Sequence, residues 1–250
     1  MNKETYTPGH TKNATNFMGK RTLHSHGLFF SPHLNEHFDI LDLGCGPGTI
    51  SVGLAETTKG RVVGIDYGKS QIEKAREHAS KSGCQNLEFQ IASCYELPFD
   101  DCTFDRVFSH ALMEHLHDPV AALKEANRVL RPSGKIGICS PDADGWLLSP
   151  PSTKLSKAVN SYAELQASNG GDLRIGKRLG VLLKESGFSD IELSARYECY
   201  PSLEFIGEYL ALQLEQEDNV NDAKTLRDWS KSAEGLFAQA WVSAVGTKVE

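Results

Sequence analysis

No run of about 18 apolar residues occurs in this chain, so nothing in it reads as a membrane-spanning helix. Its first ten residues lack an apolar core, and no secretory leader is expected there. Cysteine is sparse: Cys45, Cys84, Cys94, Cys102, Cys139 and Cys199. No two of them form a CxxC pair, which excludes the zinc-ribbon and dithiol patterns. Scattered thiols suit a reducing cytoplasm, the expected location. Basic runs are missing as well. Lys and Arg number 26 against 33 acidic residues, a net charge of −7. That balance disfavours a nucleic-acid backbone as partner. Repeats and low-complexity tracts are absent, and nothing in the sequence sets an oligomeric state.

What is present is a regular alternation. The 250 residues suffice for one large α/β domain with a modest cap. Residues 13–30 predict a helix, with Phe17, Arg21, His24 and Leu28 at helical spacing and Pro32 beyond its end. Short apolar strands are expected at 39–43, 61–65, 87–91, 104–108 and 135–139. Between them the pattern predicts helices at 49–58, 69–82 and 118–130, with a turn at 131–134. Strand and helix in turn imply a doubly wound, mostly parallel sheet with helices on both faces. Further on, helices are expected near 154–167, 175–185, 202–217 and 221–234, and strands at 191–199 and 236–245. The domain reading is an N-terminal helical lid over 1–35 and a main domain over 36–250. Within the latter, 144–175 and 201–234 are candidate cap segments.

The strongest local signal is Leu41-Asp42-Leu43-Gly44-Cys45-Gly46-Pro47-Gly48-Thr49, where a buried strand turns into a helix. Alternate glycines let the backbone bend sharply and approach a ligand. The following helix offers unpaired N–H groups. Asp66 ends the next strand, where a carboxylate can accept both ribose hydroxyls of a nucleoside. Tyr67 follows and is expected beside the base. A dinucleotide fold would carry GxGxxG, but Thr49 stands where the third glycine belongs. Asp42, just before the turn, would repel a pyrophosphate and suits a ligand bearing an amino group and a sulfonium. These residues match S-adenosylmethionine better than NAD. A nicotinamide-dependent oxidoreductase and a non-catalytic S-adenosylmethionine-binding protein are the alternatives.

The chain resembles the class I S-adenosylmethionine-dependent methyltransferases, in particular the small-molecule branch of ubiquinone/menaquinone type. Three further segments carry the resemblance. They are Leu97-Pro98-Phe99 through Phe104-Asp105, Ser109-His110-Ala111-Leu112-Met113-Glu114-His115-Leu116, and Arg128-Val129-Leu130-Arg131-Pro132-Ser133-Gly134. The resemblance implies a Rossmann-like sheet of seven strands with helical cap insertions. It also implies S-adenosylmethionine as methyl donor, S-adenosylhomocysteine as product, and a small-molecule acceptor methylated on O, N or C. It makes residues 41–49 the nucleotide loop and Asp66 the ribose acid. Many members have an aspartate where this chain has Ser93; groups of Ser93, Cys94 and Tyr95 are expected to replace it at the adenine. The donor set is thus Asp42, Gly44, Cys45, Gly46, Gly48, Thr49, Asp66, Tyr67, Ser93, Cys94, Tyr95 and His110.

Methyl transfer mainly requires two reactants held in line. A base is needed only for an acceptor protonated at neutral pH, and His110 and His115 are the candidates. No metal is expected, because His24 and His26 point to different faces of a helix. The N-terminal helix is expected to close over the donor, with Tyr6, Arg21 and His26 as acceptor or donor contacts. Trp146 is a candidate for an aromatic acceptor pocket.

Overall fold

The computed structural model describes residues 5–7, 18–200, 202–232 and 235–249. Its elements are α1 (Leu23–His26), β1 (Ile40–Leu43), α2 (Thr49–Thr57), β2 (Val62–Asp66), α3 (Lys69–Ser82), β3 (Leu87–Ile91), β4 (Phe104–His110), α4 (Pro119–Val129), β5 (Leu130–Pro141), β6 (Leu147–Ser149), α5 (Thr153–Ser168), α6 (Leu179–Glu185), β7 (Phe188–Cys199), α7 (Leu203–Gln216), α8 (Val220–Ser230) and β8 (Leu236–Lys248).

Period-two alternation sorts the strand side chains between two cores. Leu41, Leu43, Val63, Ile65, Val107, Ile136 and Ile138 meet Leu123, Ala126, Leu179 and Leu183 of α4 and α6 on one face. Ile40, Val62 and Phe108 meet Leu23, Phe30, Ile50 and Leu54 on the other. Both faces of β1 are covered, which is why Ile40, Leu41 and Leu43 are apolar without alternation, and Asp42 among them is buried as well. Phe30 is fully buried because Gly137 makes room for it; a Cβ at Gly137 would lie 2.4 Å from the Phe30 ring. Burying a side chain of that size contributes about 2–3 kcal/mol.

The sheet runs β3-β2-β1-β4-β5-β8, with the first five strands parallel and β8 antiparallel to β5. β7 pairs along the other side of β8. Strand order reverses between β1 and β4, which places a ligand crevice at their carboxyl ends.

Several expectations need correction. The helix over 13–30 is not continuous. Residues 13–17 lie outside the described residues, and residues 19–22 are not helical. Thr22 instead starts a new single turn, accepting the Ser25 N–H at 3.1 Å in a capping box. Pro32 sits in a 3-10 turn after it. Among the described residues the sheet has eight strands. Beyond Pro141 the chain makes a 3-10 turn and returns as β6, opposite Leu236, Phe237 and Ala238 of β8. The turn predicted at 131–134 is an irregularity within β5, where pairing with β4 slips and Ser133 has φ +61°. The helix expected from 175 begins as a 3-10 turn before α6.

A third apolar cluster stands apart from the sheet cores. It joins α5, α7 and α8 to Trp146 and to Phe237 and Ala240 of β8. Apart from the β8 residues, its members fall within 144–175 and 201–234.

Candidate active site

The glycine turn leaves β1 in the left-handed region three times, with φ +76° at Gly44, +52° at Gly46 and +76° at Gly48. The N–H groups of Gly44 and Cys45 donate to the Ile65 carbonyl at 2.9 and 2.8 Å, tying the turn to β2. The three glycines do different jobs. A Cβ at Gly44 would touch Leu112 at 3.0 Å, and one at Gly48 would overlap Ala75 and Phe89 at 2.8 Å. Gly48 therefore supplies the close helix–strand packing that a dinucleotide fold assigns to its third glycine. A Cβ at Gly46 would meet only the Met18 sulfur, at 3.9 Å, so the backbone there borders open space. No side chain caps α2, whose first N–H groups follow Gly48.

Asp66 closes the cradle. Its Oδ2 accepts the Gly46 N–H at 3.0 Å and its Oδ1 the Gly68 N–H at 2.7 Å. Asp42 lies beneath the turn, 2% exposed, and accepts the Ser51 hydroxyl at 2.6 Å. Burial raises its pKa to about 7, against the lowering effect of Ser51. Cys45 is also buried, and burial pushes its thiol up, so it is inert at neutral pH. Tyr67 is 84% exposed at the rim, its ring unsupported by the core. At the end of β3 the Ser93 hydroxyl accepts the Tyr95 N–H at 3.2 Å, a local turn that presents residues 93–95 edge-on. Tyr95 and His117 join through the phenol oxygen and Nδ1 at 3.1 Å.

A second cavity opens beside this cradle. It offers about 50 Å³ to the centre of a water-sized sphere. Met18 lines it and also borders Gly46; Ala111 lines it at the end of β4. Its wall is rich in aromatic rings, with Tyr6, Trp146, Tyr162, Tyr209, Phe237 and Trp241, and its charged groups are Arg21 and Glu114. The Arg21 guanidinium lies 5.1 Å from the Trp241 ring centre. Glu114 is buried and accepts the Ser140 hydroxyl at 2.9 Å; burial lifts its pKa to about 7. The Tyr6 hydroxyl donates to the Met18 sulfur at 3.3 Å, and its ring meets His115 edge-on at 4.7 Å. Thr5 and Thr7 are bound by the Asn169 carbonyl and amide at the end of α5, which pins this N-terminal stretch over the cavity.

The histidines are distinguished by their partners. The Gln166 amide donates to His115 Nδ1 at 2.7 Å and to the Glu114 carbonyl at 2.8 Å. The neutral His115 ring thus carries its proton on Nε2, and its lone pair is used. Burial, followed by the Arg21 charge, pushes its pKa down to about 3. His110 is buried and neither ring nitrogen has a partner among the described residues. It packs 4.6 Å from Trp241 and 4.9 Å from His26. Burial, then the charges of Arg21, His26 and Arg196, hold it well below the usual imidazole range. His26 Nε2 and the Trp241 indole share Glu198 Oε2, at 3.2 and 2.8 Å. His24 is exposed, whereas His26 is buried.

The sequence-marked residues therefore fall in two adjoining places: the Gly44–Asp66–Ser93 cradle, and the cavity with Tyr6, Arg21, Trp146 and His115. Met18, Gln166 and Glu198 were not expected at the site, whereas Tyr209 and Trp241 belong to the second-half aromatics from which an acceptor pocket is expected. The first three lie far apart in sequence, and no local signal joins them.

A cradle of this kind, at the switch point of a mostly parallel sheet with an antiparallel last strand, defines a class I methyltransferase. Residues 34–187 match the family described as a methyltransferase domain, and the chain belongs to that S-adenosylmethionine-dependent family. Over 112 residues it is 43% identical to an uncharacterized methyltransferase, C1B3.06c, of Schizosaccharomyces pombe; this covers 42% of the chain and 40% of that protein. Over 193 residues it is 32% identical to O-methyltransferase resE of Aspergillus sclerotiorum, covering 76% of the chain and 69% of that protein. The chain spans less than half the length of the first of these relatives. In fold it is similar to the YcgJ protein of Bacillus subtilis, with a TM-score of 0.70 at 19% identity over 91% of this chain and 99% of that one.

Proposed function

We propose that this chain transfers a methyl group from S-adenosylmethionine to a small-molecule acceptor held in the aromatic cavity. The observation that carries this reading is the adjacency of the two spaces: Met18 borders Gly46 and also lines the cavity. The donor's chemical fit rests on the open backbone at Gly46 and on the Asp66 carboxylate beside it. When bound, S-adenosylmethionine supplies a sulfonium-activated methyl group to an in-line displacement.

The protein's own residues then have these roles. Asp66 receives the ribose hydroxyls, and residues 93–95 and Tyr67 flank the adenine. The glycine turn and the uncapped start of α2, with Thr49, face the amino-acid part. The buried Asp42, with its pKa raised to about 7, is partly ionised under the turn at neutral pH. Arg21 lines the acceptor cavity, while His26 and His110 pack against Trp241 in its wall. Neutral His110, 4.6 Å from the Trp241 ring, helps to position that wall. His115 is a wall and positioning residue, since Gln166 occupies its lone pair. Of the lid expected over 1–35, residues 1–4 and 8–17 lie outside the described residues, and Tyr6, Met18 and Arg21 line the cavity; the described parts of 144–175 and 201–234 are the cap that sets acceptor choice.

The acidic net charge and the enclosed cavity favour a small molecule over nucleic acid. All six cysteines are free, which fits a cytoplasmic location. Among the described residues no helix is long and apolar enough to cross a membrane. The test is calorimetry with S-adenosylmethionine and S-adenosylhomocysteine, followed by mass detection of methylated product from an acceptor panel. No uptake of either compound would overturn the reading.

A further inference from the structure

The chain has three tryptophans, and their indole N–H groups differ in one respect. Trp229 donates to the Ser149 carbonyl at 3.0 Å, and Trp241 donates to Glu198 at 2.8 Å. Trp146 is 9% exposed, lines the cavity, and has no acceptor for its Nε1 among the described residues. A buried donor left unpaired costs stability, so a ligand oxygen that reaches it is strongly favoured.

The position of Trp146 is well fixed. Its ring lies at 28° to Tyr162 with centroids 6.5 Å apart and meets Phe237 edge-on at 5.1 Å. Its own N–H donates to the Ala143 carbonyl at 3.3 Å in the 3-10 turn between β5 and β6. Asp142 anchors that turn by accepting the Asp144 N–H at 3.1 Å and the Lys177 N–H at 2.8 Å. Arg21, stacked on Trp241, lines the same cavity. Its guanidinium favours an oxyanion there, and Glu114 in the same wall is held largely protonated below pH 7.

We propose that Trp146 is a specificity residue for the acceptor. The cavity takes a flat phenol whose hydroxyl lies toward Arg21 and whose far end carries a carbonyl oxygen that accepts the Trp146 Nε1–H. This rests on the methyltransferase reading and adds to it a substrate class and the residue that selects it.

The test uses two bicyclic phenols of similar shape, 7-hydroxycoumarin, with a carbonyl opposite its hydroxyl, and 2-naphthol, without one. Binding of each to the full chain is measured by calorimetry at saturating S-adenosylhomocysteine. The intact chain is expected to hold the coumarin about tenfold more tightly than the naphthol. Trp146→Phe, which keeps a ring between Tyr162 and Phe237, is expected to bind both alike, with S-adenosylhomocysteine affinity unchanged as the check on folding. A tenfold preference that survives in Trp146→Phe overturns the proposal. So does failure of the loaded intact chain to bind either phenol. Failure to bind S-adenosylhomocysteine itself would overturn the methyltransferase reading underneath.

Discussion

The Gly46 N–H donates to Asp66 Oδ2 at 3.0 Å, so the end of β2 holds the middle of the glycine turn. Asp66 also fixes the start of α3 through the Gly68 N–H. The carboxylate thus shapes the cradle before any ligand enters. Asp66→Ala removes two acceptors for ribose hydroxyls and loosens the turn. Charge-assisted hydrogen bonds of this type are each worth about 1.5–3 kcal/mol, so S-adenosylhomocysteine affinity is expected to fall about 100-fold or more. Asp66→Asn keeps one oxygen acceptor and is expected to lose less. Isothermal titration of both variants checks the order.

Gly46 and Gly48 are both left-handed, yet substitution should fail for different reasons. A side chain at Gly46 projects into open space near Met18, where the donor is proposed to lie. Gly46→Val is expected to abolish S-adenosylhomocysteine binding, with a stability loss of about 1–3 kcal/mol from backbone strain. Gly48→Ala forces a methyl against Ala75 and Phe89 at 2.8 Å and separates α3 and β3 from the turn. It is expected to lower the unfolding midpoint more than Gly46→Val does. Thermal melts beside binding curves separate the two effects.

Much of the cradle could be read before the fold was known, because its signals are local. Residues 39–66 contain a two-sided strand, left-handed glycines, a helix and a second strand within one short stretch, and β3 and α3 have the bounds expected from pattern alone. The N-terminal helix was misjudged because residues at helical spacing, such as Arg21 and His24, say nothing about Thr22. That threonine cap restarts the helix one turn from its end. β6 escaped notice because three residues carry no period, and only pairing with β8 defines them. The partners of the site histidines were hidden for a related reason. Gln166 lies 51 residues from His115, and Glu198 lies 172 from His26, distances over which sequence pattern carries no geometry.

The two candidate histidines are expected to behave unlike general bases. His115 has no free lone pair, and burial keeps its pKa near 3. His110 has two unpaired nitrogens but is held neutral far below its ordinary range. Transfer to a phenol should therefore rise with pH along the ionisation of the phenol itself. His110→Asn is expected to lower kcat about tenfold without changing the shape of that profile, because orientation is lost and no titrating group is removed. A general base would contribute 100-fold or more and its loss would flatten the profile. Turnover of 7-hydroxycoumarin between pH 6 and 9 distinguishes these outcomes.

Glu114 makes stability depend on pH in a direction opposite to an ordinary surface carboxylate. Burial raises its pKa from 4.5 to about 7 in the folded chain. The folded state therefore holds the proton more tightly than the unfolded state does. The stability this provides is present in full below about pH 4.5 and is lost as pH rises toward 7, a change of about 3 kcal/mol at 1.36 kcal/mol per unit. His115 acts with the reverse sign: its pKa falls from 6.5 to about 3, so stability declines as pH drops below 6.5. Between pH 4.5 and 6.5 the two slopes offset each other, and above 6.5 the Glu114 slope stands without that opposition. Glu114→Gln keeps an acceptor for the Ser140 hydroxyl and leaves the main-chain carbonyl free to receive Gln166 and the Asp172 N–H. Relative to the natural chain, this variant is expected to be more stable at pH 8 than at pH 5, by up to about 3 kcal/mol. Urea unfolding of both proteins at the two pH values measures that difference. An equal offset at both would mean that Glu114 ionises normally, and would remove the buried carboxylic acid from the wall of the proposed acceptor cavity.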